Sequence, residues 1–152
     1  MILIIVESPA KCKKIEGFLG KDYKCIATFG HITKLKNLDD IDDQYHPTFS
    51  MIPEKNAYIK KLKYAIANAK DIYIATDDDR EGEAIGWHVS QVFKLPKTTK
   101  RIVFREITKD ALVYAVQHPT ILNTKVVDAS IGRQILDMLV GFIISPYLWK
   151  HV

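Results

Sequence analysis

Four carboxylates crowd a short stretch in the middle of the chain. Between Asp71 and His88 the sequence reads DIYIATDDDREGEAIGWH, which places Asp77, Asp78, Asp79 and Glu81 directly after an apolar run. In extended backbone alternate side chains share a face, so the first, third and fourth of these acids can converge while Asp78 points away. Oxygen ligands on one face suit a hard, hydrated cation such as Mg²⁺. The stretch therefore predicts a divalent-metal site with Mg²⁺ as its cofactor.

A simpler explanation covers part of this pattern. Acidic residues at a helix N-terminus complement the helix dipole, an effect worth about 0.3–1 kcal/mol each. The dipole accounts for one or two of the acids. It does not account for all of them at the end of an apolar strand, where their mutual repulsion must be offset by a cation or by raised pKa values. We therefore favour the metal site.

Two predicted strands must position these acids. The apolar run 72–75 reads as a strand that gives way to a helix near Glu83, and the apolar start of the chain, 1–6, reads as a second strand that ends at Glu7. In open α/β sheets, ligands bind in the crevice at the carboxyl ends of the strands. If the two strands are parallel neighbours, Glu7 reaches the same crevice as Asp77. Taken alone, Glu7 is equally well explained as a capping or solvated glutamate.

The remaining elements predict an α/β fold with a mostly parallel sheet and flanking helices. Ser8 and Pro9 are typical of a helix start, and residues 54–70 carry a helical apolar pattern. The apolar segment 101–105 (RIVFR) predicts another strand, and Thr108 the N-cap of another helix. Residues 38–53 are polar and contain prolines, which predicts an exposed loop. We expect this α/β domain to span residues 1–119.

The pattern of predicted elements changes after Thr120. Residues 126–144 carry a long helical pattern that no longer alternates with strands, and the segment SPYLW follows. A helix this apolar needs a surface to pack on. We therefore expect residues 120–152 to begin a second, helical domain that continues in further protein.

Bulk properties are those of a soluble globular protein that is free to bind nucleic acid. The 152 residues are 47% hydrophobic and 26% charged, with a formal net charge of +4. The two cysteines, Cys12 and Cys25, fit no metal spacing and indicate a reducing compartment. The apolar start is too short for a signal peptide or a membrane span. We expect a cytoplasmic protein without membrane contact.

Several isolated polar residues are candidates for nucleic-acid contacts, although each also has a simpler explanation. Lys11 lies on the first turn of the helix after the first strand and could meet a phosphate, but most single lysines are merely solvated. His31 could contact phosphate or sugar, but a structural histidine is the simpler interpretation. Arg133 and Asp137 are four residues apart on a helix, so they can pair. A surface ion pair of this kind contributes little to stability.

Together these stretches resemble the start of a type IA DNA topoisomerase of the bacterial topoisomerase I branch. The resemblance follows the family's order over nearly the whole chain and is highly specific. The matching strings are VESPAK (6–11), FGHI (29–32), ATDDDREGEAI (75–85) with WH (87–88), FREIT (104–108) and DASIGRQILDMLVGFIISPYLW (128–149).

The resemblance implies a Toprim (Rossmann-like) fold over residues 1–119, the start of the adjacent helical domain over 120–152, and a division of roles among named residues. It implies that an acidic centre binds Mg²⁺ and that Glu7 has an acid/base or metal role. It also implies that His31, Arg133 and Asp137 act around the scissile phosphate and DNA, with Lys11 near that phosphate. The metal set would be Glu7, Asp77, Asp79 and Glu81, the catalytic set these four with Lys11 and Arg133, and the DNA-binding set His31, Arg133, Gln134, Asp137 and Phe142.

The family's reaction indicates the parent activity and partners. Such enzymes relax negatively supercoiled DNA without ATP, by cleaving one strand through a 5′-phosphotyrosine, passing DNA and rejoining the strand. The implied partners are DNA, as a single-stranded segment of a duplex, and the remaining topoisomerase domains that carry the catalytic tyrosine. The implied location is the bacterial cytoplasm, in association with the nucleoid.

The chain departs from the family pattern at four places. Asp78 replaces a usually uncharged residue, the sequence around Arg133 lacks the usual glutamine-alanine-arginine pattern, and Phe142 stands where tyrosine is common. None of the seven tyrosines lies in the family's tyrosine–proline/methionine–arginine–threonine context, so we expect the chain alone to be inactive. Two alternatives stay open: a Toprim nuclease or primase-like enzyme, and a non-catalytic module that binds metal and DNA.

Overall fold

The computed structural model describes residues 1–34 and 49–151, with side chains of the last helix described through residue 141. The strands are β1 (Ile2–Val6), β2 (Tyr23–Ala27), β3 (Thr33–Lys34), β4 (Ser50–Met51), β5 (Asp71–Ile74) and β6 (Lys100–Arg101). The helices are α1 (Cys12–Leu19), α2 (Asn56–Asn68), α3 (Arg80–Val92), α4 (Lys109–Gln117) and α5 (Thr124–His151), with short 3-10 turns at Pro9–Lys11 and Pro53–Lys55.

Four strands form one parallel sheet in the order β2-β1-β5-β6. The chain first moves outward from β1 to β2 and then returns to place β5 on the other side of β1. The reversal makes the gap between β1 and β5 the topological switch point, where an open α/β sheet leaves a crevice beyond its strand ends. The predicted neighbouring, parallel arrangement of these two strands is confirmed.

Apolar side chains fill both faces of the sheet. Along β1 the side chains alternate, so that Ile4 and Val6 pack with Ile15 of α1 and Leu112 of α4. Leu3 and Ile5 point to the opposite face and pack in a second cluster whose other buried members include Leu62 of α2 and Val89 of α3. Burial on both sides explains why β1 is an uninterrupted apolar run. The expected α/β fold with helices on both faces is confirmed.

The strand predicted over 101–105 is much shorter than expected. β6 comprises only Lys100 and Arg101, which pair with Tyr73 and Ile74 of β5. Ile102 still donates its N–H to the Ile74 carbonyl at 2.9 Å. Beyond that point β5 has ended, so the following residues have no neighbouring strand to pair with. Val103 is accordingly exposed.

Two further segments differ from the sequence-based expectation. Within the predicted loop 38–53, Ser50 and Met51 form β4, which pairs antiparallel with β3, while residues 35–48 lie outside the described part of the chain. The long helix expected over 126–144 extends over Thr124–His151 and packs against α3. The boundary predicted at residue 119 stays a prediction. In the part of the chain that the structure describes, no helix has both the length and the apolar character of a membrane span.

Candidate active site

The ends of β1 and β5 meet at Glu7 and Asp77. The Glu7 Oε1 atom accepts a hydrogen bond from the backbone N–H of Asp77 at 2.8 Å. Burial raises the pKa of Glu7 above its ordinary value, the Asp77 N–H opposes this, and the negative charges of Asp77, Asp79 and Glu81 raise it further. The carboxyl group of Glu7 therefore lies in a half-buried crevice in which negative charge accumulates.

A lysine bridges the two strand ends. The Lys11 Nζ atom lies 2.6 Å from Asp77 Oδ1, and both side chains are partly buried. Lys11 closes the 3-10 turn at Pro9–Lys11, whose start is capped by Ser8, which accepts a hydrogen bond from the Ala10 N–H. The turn carries the Lys11 side chain back over the crevice, so an ammonium group already neutralises one carboxylate of the predicted metal set.

Asp79 has a structural role in addition to any functional one. It is the N-cap of α3, and its Oδ1 accepts a hydrogen bond from the Gly82 N–H at 2.6 Å. Gly82 lies so close to the preceding turn that a Cβ atom there would stand 2.0 Å from the Asp77 carbonyl oxygen. The Thr76 hydroxyl closes the same turn by donating to the Gly82 carbonyl at 2.6 Å. Only glycine at residue 82 allows residues 77–79, called here the acidic loop, to fold this tightly onto the start of α3.

Glu81 faces a histidine from another loop. His31 Nε2 lies 3.3 Å from Glu81 Oε1, and Glu81 is 70% exposed. Two consecutive left-handed residues, Phe29 (φ 58°) and Gly30 (φ 91°), precede His31 and turn the chain toward α3. The Phe29 N–H also donates to the Glu7 carbonyl at 2.9 Å, which fixes this loop to the end of β1.

The extended backbone expected through the acidic stretch is wrong beyond Asp79. Because Asp79 caps a helix that begins at Arg80, Glu81 lies in the first helical turn. Asp78 is exposed, as expected. Within residues 1–34 and 49–151, no group of three or more His, Cys, Asp or Glu side chains is arranged to hold a metal ion. Glu7, Asp77, Asp79 and Glu81 stay a predicted metal set, since the geometry brings Glu7 to Asp77 but gives Asp79 and Glu81 other partners.

The predicted DNA-binding residues of α5 face the acidic loop across a pocket of about 680 Å³. Its polar lining includes His31, Arg80, Glu81, Arg133, Gln134 and Asp137. Arg133 Nε lies 3.9 Å from Asp137 Oδ2, and both side chains are more than 70% exposed, so the guanidinium is free to meet another anion. Arg80 also lines the pocket. The sequence analysis did not predict it, although its position between Asp79 and Glu81 indicated that it lies beside the acids. The Phe142 side chain lies outside the described residues.

Comparison with known proteins agrees with this architecture. The family model described as the Toprim domain matches residues 2–107. The chain belongs to the Toprim domain family. A crystal structure of full-length topoisomerase I from Thermotoga maritima, in a monoclinic crystal form, is similar to 97% of the chain with 41% sequence identity and a TM-score of 0.89. The match covers 26% of that protein, so the chain spans about a quarter of its length. The resemblance to type IA topoisomerases is thereby confirmed.

Two charged residues of this Toprim domain are buried behind the acidic loop, and the sequence did not predict them. Arg101 is 1% exposed and Glu83 is 8% exposed, and Arg101 Nε donates to Glu83 Oε1 at 2.6 Å. A charged residue at the edge of an apolar strand ordinarily reads as a solvated flank, and a glutamate after a helix start as a dipole partner. Because Arg101 directly follows Lys100 and Glu83 lies two residues after Glu81, no signal of burial was available from the sequence.

Proposed function

We propose that the chain is the N-terminal part of a type IA DNA topoisomerase and supplies the acidic half of its cleavage site. The observation that carries the proposal is the meeting of Glu7, Lys11 and Asp77 at the switch point between β1 and β5. The match to topoisomerase I from Thermotoga maritima supports the family, and the pocket beside the acidic crevice presents the guanidinium groups of Arg80 and Arg133, together with Glu81 and Asp137.

The residues present fit a divalent cation. Burial, and after it the neighbouring carboxylates, raise the pKa of Glu7, and Asp77 already has the Lys11 ammonium 2.6 Å from one oxygen, so this crevice stabilises positive charge. Glu7, Asp77, Asp79 and Glu81 would hold Mg²⁺. When bound, the ion would neutralise phosphate charge and fix the phosphate for strand cleavage and rejoining.

Separate residues of the chain then contact the DNA strand and handle its proton. Lys11, whose ammonium pairs with Asp77, is close enough to the crevice to contact a phosphate bound there. Arg133, with five donors on a planar fork and an exposed guanidinium, clamps phosphate oxygens along the strand. His31 contributes a ring N–H beside Glu81, while Gln134 and Asp137 border the path of the strand. Phe142 keeps the DNA-contact role that the family resemblance implies. Glu7, with its raised pKa, holds or releases a proton close to the scissile bond.

The nucleophile comes from elsewhere in the complete enzyme. None of the seven tyrosines lies in the context that the family uses. In the proposed reaction a tyrosine oxygen attacks the phosphorus, the 3′ oxygen leaves, and the bond energy is retained in a 5′-phosphotyrosine ester, so ATP is not needed. We expect the complete protein to act on negatively supercoiled DNA in the bacterial cytoplasm, associated with the nucleoid.

A chimera tests the proposal directly. The matching region of the Thermotoga maritima topoisomerase I is replaced by this chain, and relaxation of a negatively supercoiled plasmid is followed on gels. We expect Mg²⁺-dependent relaxation by the chimera, loss of activity in Asp77→Ala/Asp79→Ala, and no relaxation by the chain alone. Relaxation with a covalent DNA adduct by the chain alone would contradict the assignment of the nucleophile to another segment. Mg²⁺-dependent nicking by the chain alone, lost in Asp77→Ala, would instead indicate a Toprim nuclease.

A further inference from the structure

The buried side chain of Arg101 donates hydrogen bonds to the backbone that leads into the acidic loop. Arg101 is one of the largest fully buried side chains of the described residues, and its guanidinium makes five hydrogen bonds. Besides the bond to Glu83, Nη1 donates to the carbonyls of Ile74 (3.2 Å), Thr76 (2.6 Å) and Ile102 (3.0 Å), and Nη2 donates to the carbonyl of Asp77 (2.8 Å). Three of the four carbonyls belong to the segment that leads from β5 into the acids.

The backbone of Asp77 is consequently fixed on both sides. Its N–H donates to Glu7 Oε1, and its carbonyl accepts from Arg101 Nη2. With its backbone held by these two bonds, Asp77 directs its side chain to Lys11, whose Nζ lies 2.6 Å from Oδ1. Arg101, which does not itself reach the crevice, therefore helps Glu7 to set the orientation of Asp77, the acid that the proposed function requires.

Glu83 is the counter-ion of Arg101 and also connects it to the residue before α5. Its Oε1 atom neutralises Arg101, and its Oε2 atom accepts the N–H of Asn123 at 2.9 Å. Asn123 precedes α5, and its side chain accepts the Val126 N–H at 3.2 Å. Because Glu83 cancels the charge of Arg101, the pair orders the acidic loop and the start of the Arg133 helix without adding net charge beside the metal set.

We propose that Arg101, with Glu83 as its counter-ion, is a positioning residue that sets the geometry of the Glu7–Asp77 crevice for cation binding. The inference rests on the proposed function, since it concerns the same acids. A lysine cannot replace this arginine, because a single ammonium cannot reach Glu83 and the carbonyls of Thr76 and Asp77 together as the planar fork does.

The test compares metal affinity with stability in the isolated chain. Mn²⁺ affinity is measured by electron paramagnetic resonance and the midpoint of thermal unfolding by circular dichroism. The variant Arg101→Met/Glu83→Gln removes both buried charges and keeps an acceptor for Asn123, so it should fold. We expect this variant to bind Mn²⁺ about tenfold more weakly than the parent, as loss of residues that orient metal ligands typically does.

A neighbouring pair provides the matched control. Lys100 Nζ, from the residue before Arg101 in β6, pairs with Asp71 Oδ2 at the amino end of β5, away from the acids. Lys100→Met/Asp71→Asn should leave Mn²⁺ affinity at the parent value. If Arg101→Met/Glu83→Gln folds and also binds Mn²⁺ like the parent, the positioning role is overturned.

Two further outcomes keep the inference separate from the proposed function. If the parent chain binds Mn²⁺ no better than Asp77→Ala/Asp79→Ala, the proposed metal centre itself fails. If the double variant does not fold, Arg101→Lys, which keeps a buried charge opposite Glu83, is measured in the same way and should also bind about tenfold more weakly. Parent-like affinity in Arg101→Lys, or failure of both variants to fold, would overturn the positioning role in favour of a purely structural one.

Discussion

At the scale of single residues, the tightest constraint is the contact between Gly82 and the Asp77 carbonyl. A methyl group at residue 82 would collide with backbone, which cannot move aside as a flexible side chain can. We expect Gly82→Ala to lower the free energy of unfolding by about 1–3 kcal/mol or more, the usual cost of overpacking, and to disturb the acidic loop. Chemical denaturation measures this change.

Gly17 is the matched control for this substitution. It lies inside α1, and a Cβ atom there would meet nothing within 4 Å. Gly17→Ala should raise the free energy of unfolding by up to about 1 kcal/mol, because alanine favours the helix. Equal effects of the two substitutions would contradict the close approach at Gly82.

His88 makes stability depend on pH. It is buried beside Phe49, Trp87 and His31, its Nε2 atom has no hydrogen-bond partner among the described residues, and burial lowers its pKa to about 4. The folded chain therefore binds this proton less readily than the unfolded chain. The stability that neutral His88 contributes is complete above its ordinary pKa of 6.5 and is lost as the pH falls toward 4.

The predicted loss over this pH interval is at most about 3 kcal/mol. Urea unfolding at several pH values measures it, and His88→Gln should reduce the slope regardless of its effect at neutral pH. Glu7 contributes in the opposite sense, since its raised pKa gives stability that is lost as the pH rises, so the Glu7→Gln background isolates the histidine. An unchanged slope in His88→Gln would refute this origin.

At the scale of elements, the start of α3 combines helix capping with predicted metal binding in Asp79. Asp79→Ala removes the side-chain bond to the Gly82 N–H and should cost about 0.5–2 kcal/mol of stability. Asp79→Asn keeps a capping oxygen and removes the charge, so it should preserve the unfolding midpoint and still weaken Mg²⁺ binding. Calorimetric titration with Mg²⁺ and thermal unfolding separate the two effects.

Thr108 provides a matched cap that is not one of the predicted metal-binding residues. Its hydroxyl accepts the Ala111 N–H at the start of α4. Thr108→Ala should cost a similar amount of stability, within about 0.5–2 kcal/mol, and should leave Mg²⁺ binding unchanged. If Asp79→Asn binds Mg²⁺ as the parent does, Asp79 serves only as a cap.

The elements also explain what the sequence could and could not predict. The runs that become β1 and β5 were recognisable because both faces of each strand are covered, and the carboxyl-end rule then brought Glu7 to Asp77. The length of β6 was not predictable, since it depends on where the neighbouring strand ends. The role of Arg101 was also hidden, because its partners are carbonyls that the sequence does not distinguish. The pocket shared by His31 and Arg133 depends on the packing of α5 against α3, which is a tertiary property.

At the scale of the whole molecule, charge is distributed unevenly around the proposed site. The net charge is +4, yet carboxylates concentrate at the β1–β5 crevice, while the adjoining pocket is lined by Arg80 and Arg133 together with Glu81 and Asp137. The two guanidinium groups are the positive charges that a DNA strand would contact in this pocket while it presents one phosphate to the acids. Binding to single-stranded DNA should therefore weaken as salt increases, because each neutralised phosphate releases counterions.

Arg133 tests this arrangement most directly, because it is exposed and lies on the α5 side of the pocket. Arg133→Ala should weaken binding of a single-stranded oligonucleotide across sequences and reduce the salt slope by about one phosphate contact. Fluorescence anisotropy at several salt concentrations measures both. Lys125→Ala is the control, since it removes one exposed positive charge from the first turn of the same helix, outside the pocket. Equal effects of the two substitutions would mean that DNA responds only to net charge, and the strand would then have no defined path past His31 and the acidic loop.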